Sequence, residues 1–238
     1  FKNPKYVGDP INAVKIFNDK QVDELIVLDI DASVNNNAPN YKLIENLAFE
    51  CRMPLCYGGG IKTLEQALRI FSLGVEKISL SSEAVSNITL INSLSIRVGS
   101  QSIVVVIDVK KNKFTNQYKV YTHNGKIKTN KNLLEFINEL QDNGVGEIVI
   151  NSIDNDGSMK GYDLNLIEKI YSISKVPITV LGGAGSLSDF SDVISKTGII
   201  GLASGSFFVF KGKFKAVLIN YPNIKIKEEL LTKNLNKY

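Results

Sequence analysis

Aspartates stand directly after apolar runs at three places in this 238-residue chain. Leu25 to Leu28 ends at Asp29, Ile103 to Ile107 ends at Asp108, and Glu147 to Ile153 ends at Asp154 and Asp156. Asp108 follows five β-branched residues, and no helix is predicted to begin there, so we expect its carboxylate to point into a site. Burial tends to raise the pKa of a carboxyl, which then donates and accepts protons near neutral pH. Asp108 is therefore the candidate general acid and base.

Two glycine clusters follow apolar runs and precede helical segments that begin near Thr63 and Ser186. Bare backbone at such a position presents amide hydrogens to an anion, and the positive end of the next helix reinforces them. Hydroxyl side chains follow the next apolar run in both cases. The first glycine loop is Gly58-Gly59-Gly60 with Ser81-Ser82, and the second is Gly182-Gly183-Ala184-Gly185 with Ser204-Gly205-Ser206. The pattern predicts two phosphate sites and a long substrate phosphorylated at both ends.

Seven apolar segments supply the strands that position these residues, and helical-period segments separate them. This alternation is the signature of repeated βα units on a parallel sheet, an α/β fold. The predicted strands are Glu24 to Asp31, Pro54 to Gly59, Lys77 to Ser82, Ile103 to Val109, Glu147 to Asp154, Pro177 to Gly183 and Ile199 to Gly205. In a βα barrel the active site lies at the carboxyl ends of the strands, where the aspartates and glycines stand.

Helix signals punctuate the alternation. Asp9-Pro10 predicts an N-cap with a first-turn proline, Thr63 and Gln66 form a capping-box pattern, and Gly74 follows the last periodic residue of its helix. Asn124-Gly125 predicts a hairpin turn within Lys113 to Lys128, decorating one end of the sheet. A final helix is expected near Lys211 to Asn220.

Helices outnumber strands, since a helix over about Asp9 to Lys20 opens the chain before any strand. A closed (βα)8 TIM barrel needs eight strands, so we expect a leading strand upstream of Phe1 in the natural protein. The chain is then one barrel domain over residues 1–238 without that strand, ending in a basic helix and tail over residues 211–238. A shift of about 123 residues places Pro54 on Pro177 and Asp31 on Asp154, which predicts two fused half-barrels.

Composition and charge pattern limit the classes of partner that the chain is expected to bind. The 28 Lys and Arg against 24 Asp and Glu give a formal net charge of +4. Lys recurs at every second position from Lys211 to Lys215, which we interpret as a solvated helix and tail rather than a nucleic-acid surface. The longest apolar run, Ile103 to Ile107, is far below the roughly 18 residues of a membrane span, so no membrane partner is expected.

The chain has two cysteines, Cys51 and Cys56, and one histidine, His123. This set is too small for a disulfide scaffold or a zinc site, so we expect no metal and no cofactor. Phe1 to Pro4 shows no signal-peptide pattern, and we interpret the cysteines as reduced thiols of a cytoplasmic protein.

Several motifs together resemble the cyclase subunit of imidazole glycerol phosphate synthase, a (βα)8 barrel that pairs with a glutamine amidotransferase in histidine biosynthesis. The resemblance runs from about Val7 to Phe210. Its anchors are Asp23-Glu24-Leu25, Leu28-Asp29-Ile30, Gly58-Gly59-Gly60-Ile61, Gly99-Ser100-Gln101, Asn151 to Gly157, Gly161-Tyr162-Asp163 and Gly182-Gly183-Ala184-Gly185.

The resemblance implies a lyase and cyclase. Ammonia from the partner glutaminase attacks a bisphosphorylated ribulosyl aminoimidazole carboxamide nucleotide, which splits into an imidazole and an aminoimidazole carboxamide nucleotide. Of two catalytic aspartates, one matches Asp108 and the other lies on the absent first strand. Phosphate contacts map onto Gly60, Ser81 and Ser82 at one end and onto Asp156, Gly157, Gly183, Gly205 and Ser206 at the other. Asp29, Asn151 and Gly182 complete the expected substrate site.

The resemblance also assigns an ammonia gate to a charged ring of Glu24, Lys77 and Glu147, each at a strand start; a solvated set of strand-end ion pairs is the alternative. Three positions depart from the family: Ser81-Ser82 replaces an Asn-Thr pair and Asn151 replaces a Thr. Segments such as Cys56-Tyr57-Gly58 and Gly205 to Lys213 resemble a paralogous branch associated with acetamidino modification of bacterial surface sugars, again beside an amidotransferase-like partner.

Two further readings stay open. The related sugar isomerase of the same pathway shares the duplication and the phosphate sites but needs no ammonia gate; the second glycine loop and Lys77 argue against it. A scaffold subunit would conduct ammonia without doing chemistry. The residue at the catalytic position of the leading strand separates these, because Asp permits catalysis and an apolar residue favours the scaffold.

Overall fold

A computed structural model describes residues 5–235, so Phe1 to Pro4 and the last three residues of the predicted tail lie outside the described part. The helices are α1 Pro10–Asp19, α2 Tyr41–Glu50, α3 Leu64–Ser72, α4 Ser82–Ser86, α5 Ile88–Val98, α6 Leu133–Asp142, α7 Leu164–Tyr171, α8 Leu187–Thr197, α9 Ser206–Val209 and α10 Ile224–Leu235, with a 3-10 turn at Ser100–Ser102. The strands are β1 Leu25–Leu28, β2 Leu55–Gly58, β3 Lys77–Leu80, β4 Ile103–Lys111, β5 Tyr118–Thr122, β6 Ile127–Lys128, β7 Glu147–Ser152, β8 Ile178–Leu181, β9 Gly201–Leu202, β10 Phe210–Lys211 and β11 Ala216–Val217.

Seven strands form one parallel sheet in the order β1-β2-β3-β4-β7-β8-β9. The hairpin of β5 and β6 pairs antiparallel with the extended end of β4. Helices cover the outer face, where most of the buried apolar side chains form one core. The sheet is the curled arrangement of a (βα)8 TIM barrel, which confirms the predicted fold class.

The two sheet edges, β1 and β9, are bridged from outside by the C-terminal segment. Tyr221 donates a hydrogen bond to the Asp23 carboxylate, just before β1, at 2.8 Å. The Asn234 amide, on α10, donates to Ser191 on α8 at 3.1 Å. Because α8 precedes β9 in the chain, α10 spans the seam between the first and last strands of the described sheet. The C-terminal segment therefore links the regions of the two edge strands.

The internal repeat is visible in the element bounds. Adding 123 to the numbers of Leu55–Gly58 gives Ile178–Leu181, which is β8, and adding it to Tyr41–Glu50 gives a range that begins at the start of α7, Leu164. The start of α3 falls on the start of α8 in the same way. The predicted duplication of a half-barrel thus describes the fold.

Local signals place the helix starts as predicted. The Asp9 carboxylate accepts hydrogen bonds from the Ile11 and Asn12 amides, and the Thr63 hydroxyl accepts from the Gln66 amide. The Gln66 side chain, however, reaches back to the Lys62 amide rather than to that of Thr63. Gly74 ends the α3 region with φ +98°, a conformation that favours glycine.

The expected helix over Lys211 to Asn220 is wrong. Residues 210–217 form a short antiparallel ribbon of β10 and β11, and the terminal helix begins only at Ile224. The turn is closed by the Lys215 amide donating to the Gly212 carbonyl at 3.0 Å, with φ +72° at Gly212 and +48° at Lys215. Of the alternating lysines, Lys211 lies on β10, and Lys213 and Lys215 lie in the turn that joins the two strands.

Several predicted strands extend beyond the observed strands, because the glycines and aspartates at their predicted ends belong to loops. The last barrel strand, for example, is only Gly201–Leu202 rather than Ile199 to Gly205.

Among residues 5–235, no helix combines the length and apolar character that crossing a bilayer requires.

Candidate active site

Asp108 and Asn151 are direct neighbours on adjacent strands near the carboxyl ends of β4 and β7. The Asn151 amide nitrogen donates a hydrogen bond to Asp108 Oδ1 at 2.8 Å. Both side chains are buried, with 8% of Asp108 and 5% of Asn151 exposed. Asp108 therefore lies where the sequence predicts it, at the mouth of the barrel.

Burial raises the pKa of the Asp108 carboxyl to about 6, against the hydrogen bond from Asn151, which lowers it. The Asp156 carboxylate adds a smaller increase. A carboxyl with this pKa exchanges protons near neutral pH, as a general acid and base must.

The first glycine loop follows β2 and lies against the loop after β1. A Cβ added at Gly60, where φ is +73°, would come within 2.5 Å of the Asn37 carbonyl, so only glycine fits there. Ser81 and Ser82 begin α4 at the end of the next strand, and the Ser82 hydroxyl accepts a hydrogen bond from the His123 amide at 3.0 Å. Among the hydrogen bonds within residues 5–235, none is donated by the Gly60 amide.

The second glycine loop has the same relation to β8 and β9. A Cβ at Gly183 would meet the Gly161 carbonyl at 2.1 Å, so the loop is packed too closely for a larger residue. The backbone amides of Gly185 and Ser186, at the end of this loop, both donate hydrogen bonds to the Asp189 carboxylate. The amide of Gly183 donates no hydrogen bond within the described part of the chain.

The remaining residues of the second predicted phosphate site gather beside this loop. A Cβ built on Gly157 would lie 3.8 Å from the Ser206 hydroxyl oxygen, which shows that the loop after β7 approaches α9. A Cβ added at Gly205 would meet no atom within 4 Å, so this position opens onto free space. In strand order the two glycine loops lie on either side of the Asp108–Asn151 pair.

Two of the aspartates hold loops together. Asp29 Oδ1 accepts hydrogen bonds from the Asp31 and Ala32 amides, which stabilises the turn after β1. Asp154 accepts a hydrogen bond from the Lys111 amide at 2.8 Å and ties the loop after β7 to the end of β4. Asp108 is thus the one of these three whose carboxylate is buried at the mouth.

The charged ring forms at the opposite ends of the strands. The Lys77 ammonium donates to the carboxylates of both Glu24 and Glu147 at 2.9 Å. The other oxygen of Glu147 accepts from the Thr179 hydroxyl at 2.6 Å. Burial opposes the charge on Lys77, but these two hydrogen bonds prevail and raise its pKa. Sequence reasoning did not include Thr179, which the strand-start position of its neighbours could have suggested.

An apolar interior separates the charged ring from the Asp108–Asn151 pair. The cluster of Cys56, Val104, Val106 and Val149 fills it, with Ile26 and Leu181 packed against it. Val149 lies on β7 between Glu147 of the ring and Asn151 at the mouth, and Val104 and Val106 precede Asp108 on β4.

Two contacts at the mouth were missed by sequence reasoning. His123, in the turn of the hairpin, reaches the first predicted phosphate site through its amide, so the hairpin is part of the site wall. Lys215, on the C-terminal ribbon, donates to the Gly157 carbonyl at 2.9 Å beside the second. In the sequence, the Asn124-Gly125 turn signal was the available indication of the His123 contact. The alternating lysines were the available indication of the Lys215 contact.

Comparisons with known proteins agree with the barrel fold and with the residues found at its mouth. The model of the histidine biosynthesis protein family matches residues 1–215. A Leptospira borgpetersenii protein provisionally named imidazole glycerol phosphate synthase subunit HisF is 57% identical over 230 residues, covering 97% of this chain and 91% of the relative. The Helicobacter hepaticus imidazole glycerol phosphate synthase subunit HisF is 42% identical over 200 residues, covering 84% of this chain and 79% of the relative.

The chain belongs to the histidine biosynthesis protein family and, within it, to the relatives of imidazole glycerol phosphate synthase subunit HisF. A Vibrio vulnificus relative, provisionally named subunit hisF3, is 56% identical over 97% of this chain and 89% of its own length. The resemblance found in the motifs is confirmed.

Proposed function

We propose that the protein is the cyclase subunit of an imidazole glycerol phosphate synthase of histidine biosynthesis, coupled to a glutamine amidotransferase. Its substrate is the bisphosphorylated ribulosyl aminoimidazole carboxamide nucleotide. The observation that supports this most directly is the buried Asp108, held by Asn151 between two glycine loops and backed by an interior that leads to the charged ring.

In the proposed reaction ammonia adds to the ribulosyl carbonyl, one water leaves, and the bond to the aminoimidazole carboxamide nucleotide breaks as the imidazole closes. No electrons are exchanged with an external acceptor. The Asp108 carboxyl, with its pKa raised to about 6, moves protons between the attacking nitrogen and the leaving groups. The Gly60 and Gly183 amides with the Ser82 and Ser206 hydroxyls hold the two phosphates.

Ammonia enters through the charged ring in this proposal. Glu24, Lys77 and Glu147 close the amino-terminal end of the interior by hydrogen bonds that must open for a molecule to pass. Neutral ammonia crosses the apolar interior more readily than ammonium, which would have to be buried as a charge. The partner glutaminase therefore docks at this end, opposite to the substrate.

Within residues 5–235, β1 and β9 are the edges of the parallel sheet, and in the same proposal an eighth strand pairs with both. That strand supplies the second catalytic aspartate implied by the resemblance. Protein extended upstream of Phe1 should melt at a higher temperature than the chain from Phe1 to Tyr238, because the two edges become paired. Equal melting temperatures would contradict the eight-stranded domain.

The decisive assay follows turnover of the nucleotide with ammonium chloride, without any partner. Wild-type protein with the eighth strand should form both products, and Asp108→Asn should not. Asp154→Asn is the matched control, because its carboxylate accepts a hydrogen bond from Lys111 on the loop side of the same strands. Full ammonium-dependent activity in Asp108→Asn would refute the catalytic assignment.

The departures at Ser81, Ser82 and Asn151 support a second candidate, amidination of a bacterial surface sugar by the paralogous branch, with ammonia delivery in common. The same assay separates the two: binding and turnover of the histidine-pathway nucleotide favour the first, and their absence in folded wild-type protein favours the second. A scaffold subunit would conduct ammonia to other chemistry, and Asp108→Asn would then leave the product of the assembled complex unchanged.

A further inference from the structure

The side chains of β4 alternate between the barrel interior and the core beneath the helices. Val104 and Val106 belong to the interior cluster, whereas the odd-numbered residues from 103 to 109 belong to the core that the helices cover. Because successive side chains of a strand point to opposite faces, Asp108 lies on the interior face. The next residue of β4 on that face is Lys110, which therefore extends the face of the Asp108 carboxylate toward solvent.

The hairpin continues this face onto the neighbouring strand. Asp108 lies directly opposite Tyr121 of β5, and Lys110 lies directly opposite Lys119. Facing residues of an antiparallel pair share one side of the sheet. The Lys110 ammonium lies 6.0 Å from the centre of the Tyr121 ring, so it is directed along the strand toward the row that Asp108 and Tyr121 form. Lys110 is exposed and Lys119 is partly exposed, so a ligand in the mouth can reach both.

Lys110 and Lys119 face each other as like charges. Within residues 5–235, neither ammonium forms an ion pair or donates a hydrogen bond. The chain between Asp108 and Glu135 holds seven lysines and no acidic residue, and the Asp108 carboxylate accepts its hydrogen bond from Asn151. Like charges directly opposite each other destabilise a sheet. A negative charge placed beside the two ammonium groups would offset this repulsion.

We propose that Lys110, with Lys119 opposite it, is a further catalytic residue whose ammonium stabilises the oxyanion that forms when ammonia adds to the substrate carbonyl beside Asp108. This inference rests on the proposed function for the reaction, and it deepens that function by assigning the group that polarises the carbonyl.

The step balances without an external reagent. The new C–N bond forms as the electron pair of the carbonyl double bond moves onto oxygen, and the Lys110 N–H groups donate hydrogen bonds to that oxygen. Asp108 removes a proton from the added nitrogen, and the oxygen takes up protons and leaves as water. A fixed cation at the point where charge develops stabilises the transition state more than the ground state.

Turnover of the nucleotide with ammonium chloride tests the catalytic role. Lys110→Met should lower kcat roughly 100- to 1,000-fold with little change in KM, as expected for a lost oxyanion contact. Lys110→Arg, which keeps a cation, should recover part of kcat. Lys111→Met is the matched control, because Lys111 is the adjacent residue of β4 but belongs to the other face, where its ammonium lies 5.7 Å from the centre of the Tyr118 ring. A normal kcat in Lys110→Met, or an equal loss in Lys111→Met, would overturn the assignment.

Urea unfolding separates this role from a structural one. Lys110 has no ion pair within the described residues and opposes Lys119, so Lys110→Met should be at least as stable as wild type. A lower stability of Lys110→Met would show that the lost activity follows from lost structure, and it would count against the proposal.

Reductive methylation with formaldehyde and a borane tests the anion site without the nucleotide. Inorganic sulfate should slow methylation of Lys110 relative to Lys111, as read by mass spectrometry. If folded wild-type protein with the eighth strand does not turn over the nucleotide, the proposed function is wrong, and this protection still decides whether Lys110 and Lys119 bind an anion. Equal reactivity of Lys110 with and without sulfate would overturn the anion site.

Discussion

The backbone N–H of His123 donates a hydrogen bond to the Ser82 hydroxyl oxygen at 3.0 Å, across 41 positions of sequence. The turn of the hairpin is thereby fixed against the first predicted phosphate site. His123 lies in this turn with φ +51°. An insertion that the sequence presented as a decoration of the sheet is part of the wall of the site.

Ser82→Ala should weaken binding of inorganic phosphate and also loosen the hairpin. The variant removes both a hydroxyl for the anion and the acceptor of the His123 amide, and we expect about a 5- to 10-fold loss of affinity. Calorimetry with phosphate measures the first effect, and hydrogen exchange of the His123 amide measures the second. Ser93→Ala is the control, because that hydroxyl donates to the Thr89 carbonyl within α5, away from the hairpin. Unchanged exchange at His123 would show that the hydrogen bond is unimportant.

Asp108→Asn should lose activity and gain stability. We expect turnover to fall on the order of 10² to 10⁴, because the carboxyl no longer exchanges protons. The folded pKa of about 6 lies above the unfolded value of about 3.9, so ionisation costs stability above pH 6 and nothing below pH 4. Urea unfolding should therefore show the variant more stable by about 2 to 3 kcal/mol at pH 8, with the difference vanishing toward pH 4. A variant less stable than wild type at pH 8 would contradict the buried, ionised carboxylate.

Gly205→Val and Gly183→Val should separate binding from folding. A Cβ at Gly205 meets no atom, and φ there is −91°, so valine fits the fold but occupies the space of the anion. We expect at least about a tenfold loss of phosphate affinity with a stability change within about 0.5 kcal/mol. Gly183 has φ +118° and no room, so Gly183→Val should destabilise the protein by about 2 kcal/mol or more. Full phosphate affinity in Gly205→Val would place the anion elsewhere.

Lys77→Met should impair glutamine-dependent turnover in the complex more than ammonium-dependent turnover of the subunit alone. The substitution leaves the Glu24 and Glu147 carboxylates facing each other without their cation, which disturbs the amino-terminal end of the interior. Lys42→Met is the control, since Lys42 forms an exposed ion pair with Glu45 on α2. Equal losses with glutamine and with ammonium chloride would contradict an entrance at the charged ring.

The strands and the position of Asp108 were predictable because each apolar run stops where the parallel sheet stops. Side-chain partners were not. Asp29 and Asp154 stand at strand ends just as Asp108 does, yet they accept backbone hydrogen bonds from their own turn and from Lys111. Which role an aspartate takes depends on loops that come from distant parts of the chain.

The C-terminal ribbon shows the opposite failure, in which a local pattern was present but assigned to the wrong element. The usable signal was Gly212, whose φ of +72° permits the turn that holds Lys213 and Lys215, whereas the lysine spacing itself is not a strand pattern there. Likewise, the place of Asn151 on β7 follows from the strand pattern, but its hydrogen bond to Asp108 depends on the register of β7 against β4.

The reactivity of the buried Cys56 thiol can report how often the barrel opens. Its thiol is fully enclosed, burial raises its pKa, and Glu24 and Glu147 raise it further, so a thiol reagent meets neither a thiolate nor a path to the sulfur while the strands are closed. Cys51, the second thiol of the chain, is partly exposed. The labelling rate of Cys56, normalised to that of Cys51, therefore measures how often the strands separate. Ligands or partners that stabilise the closed barrel will lower this rate.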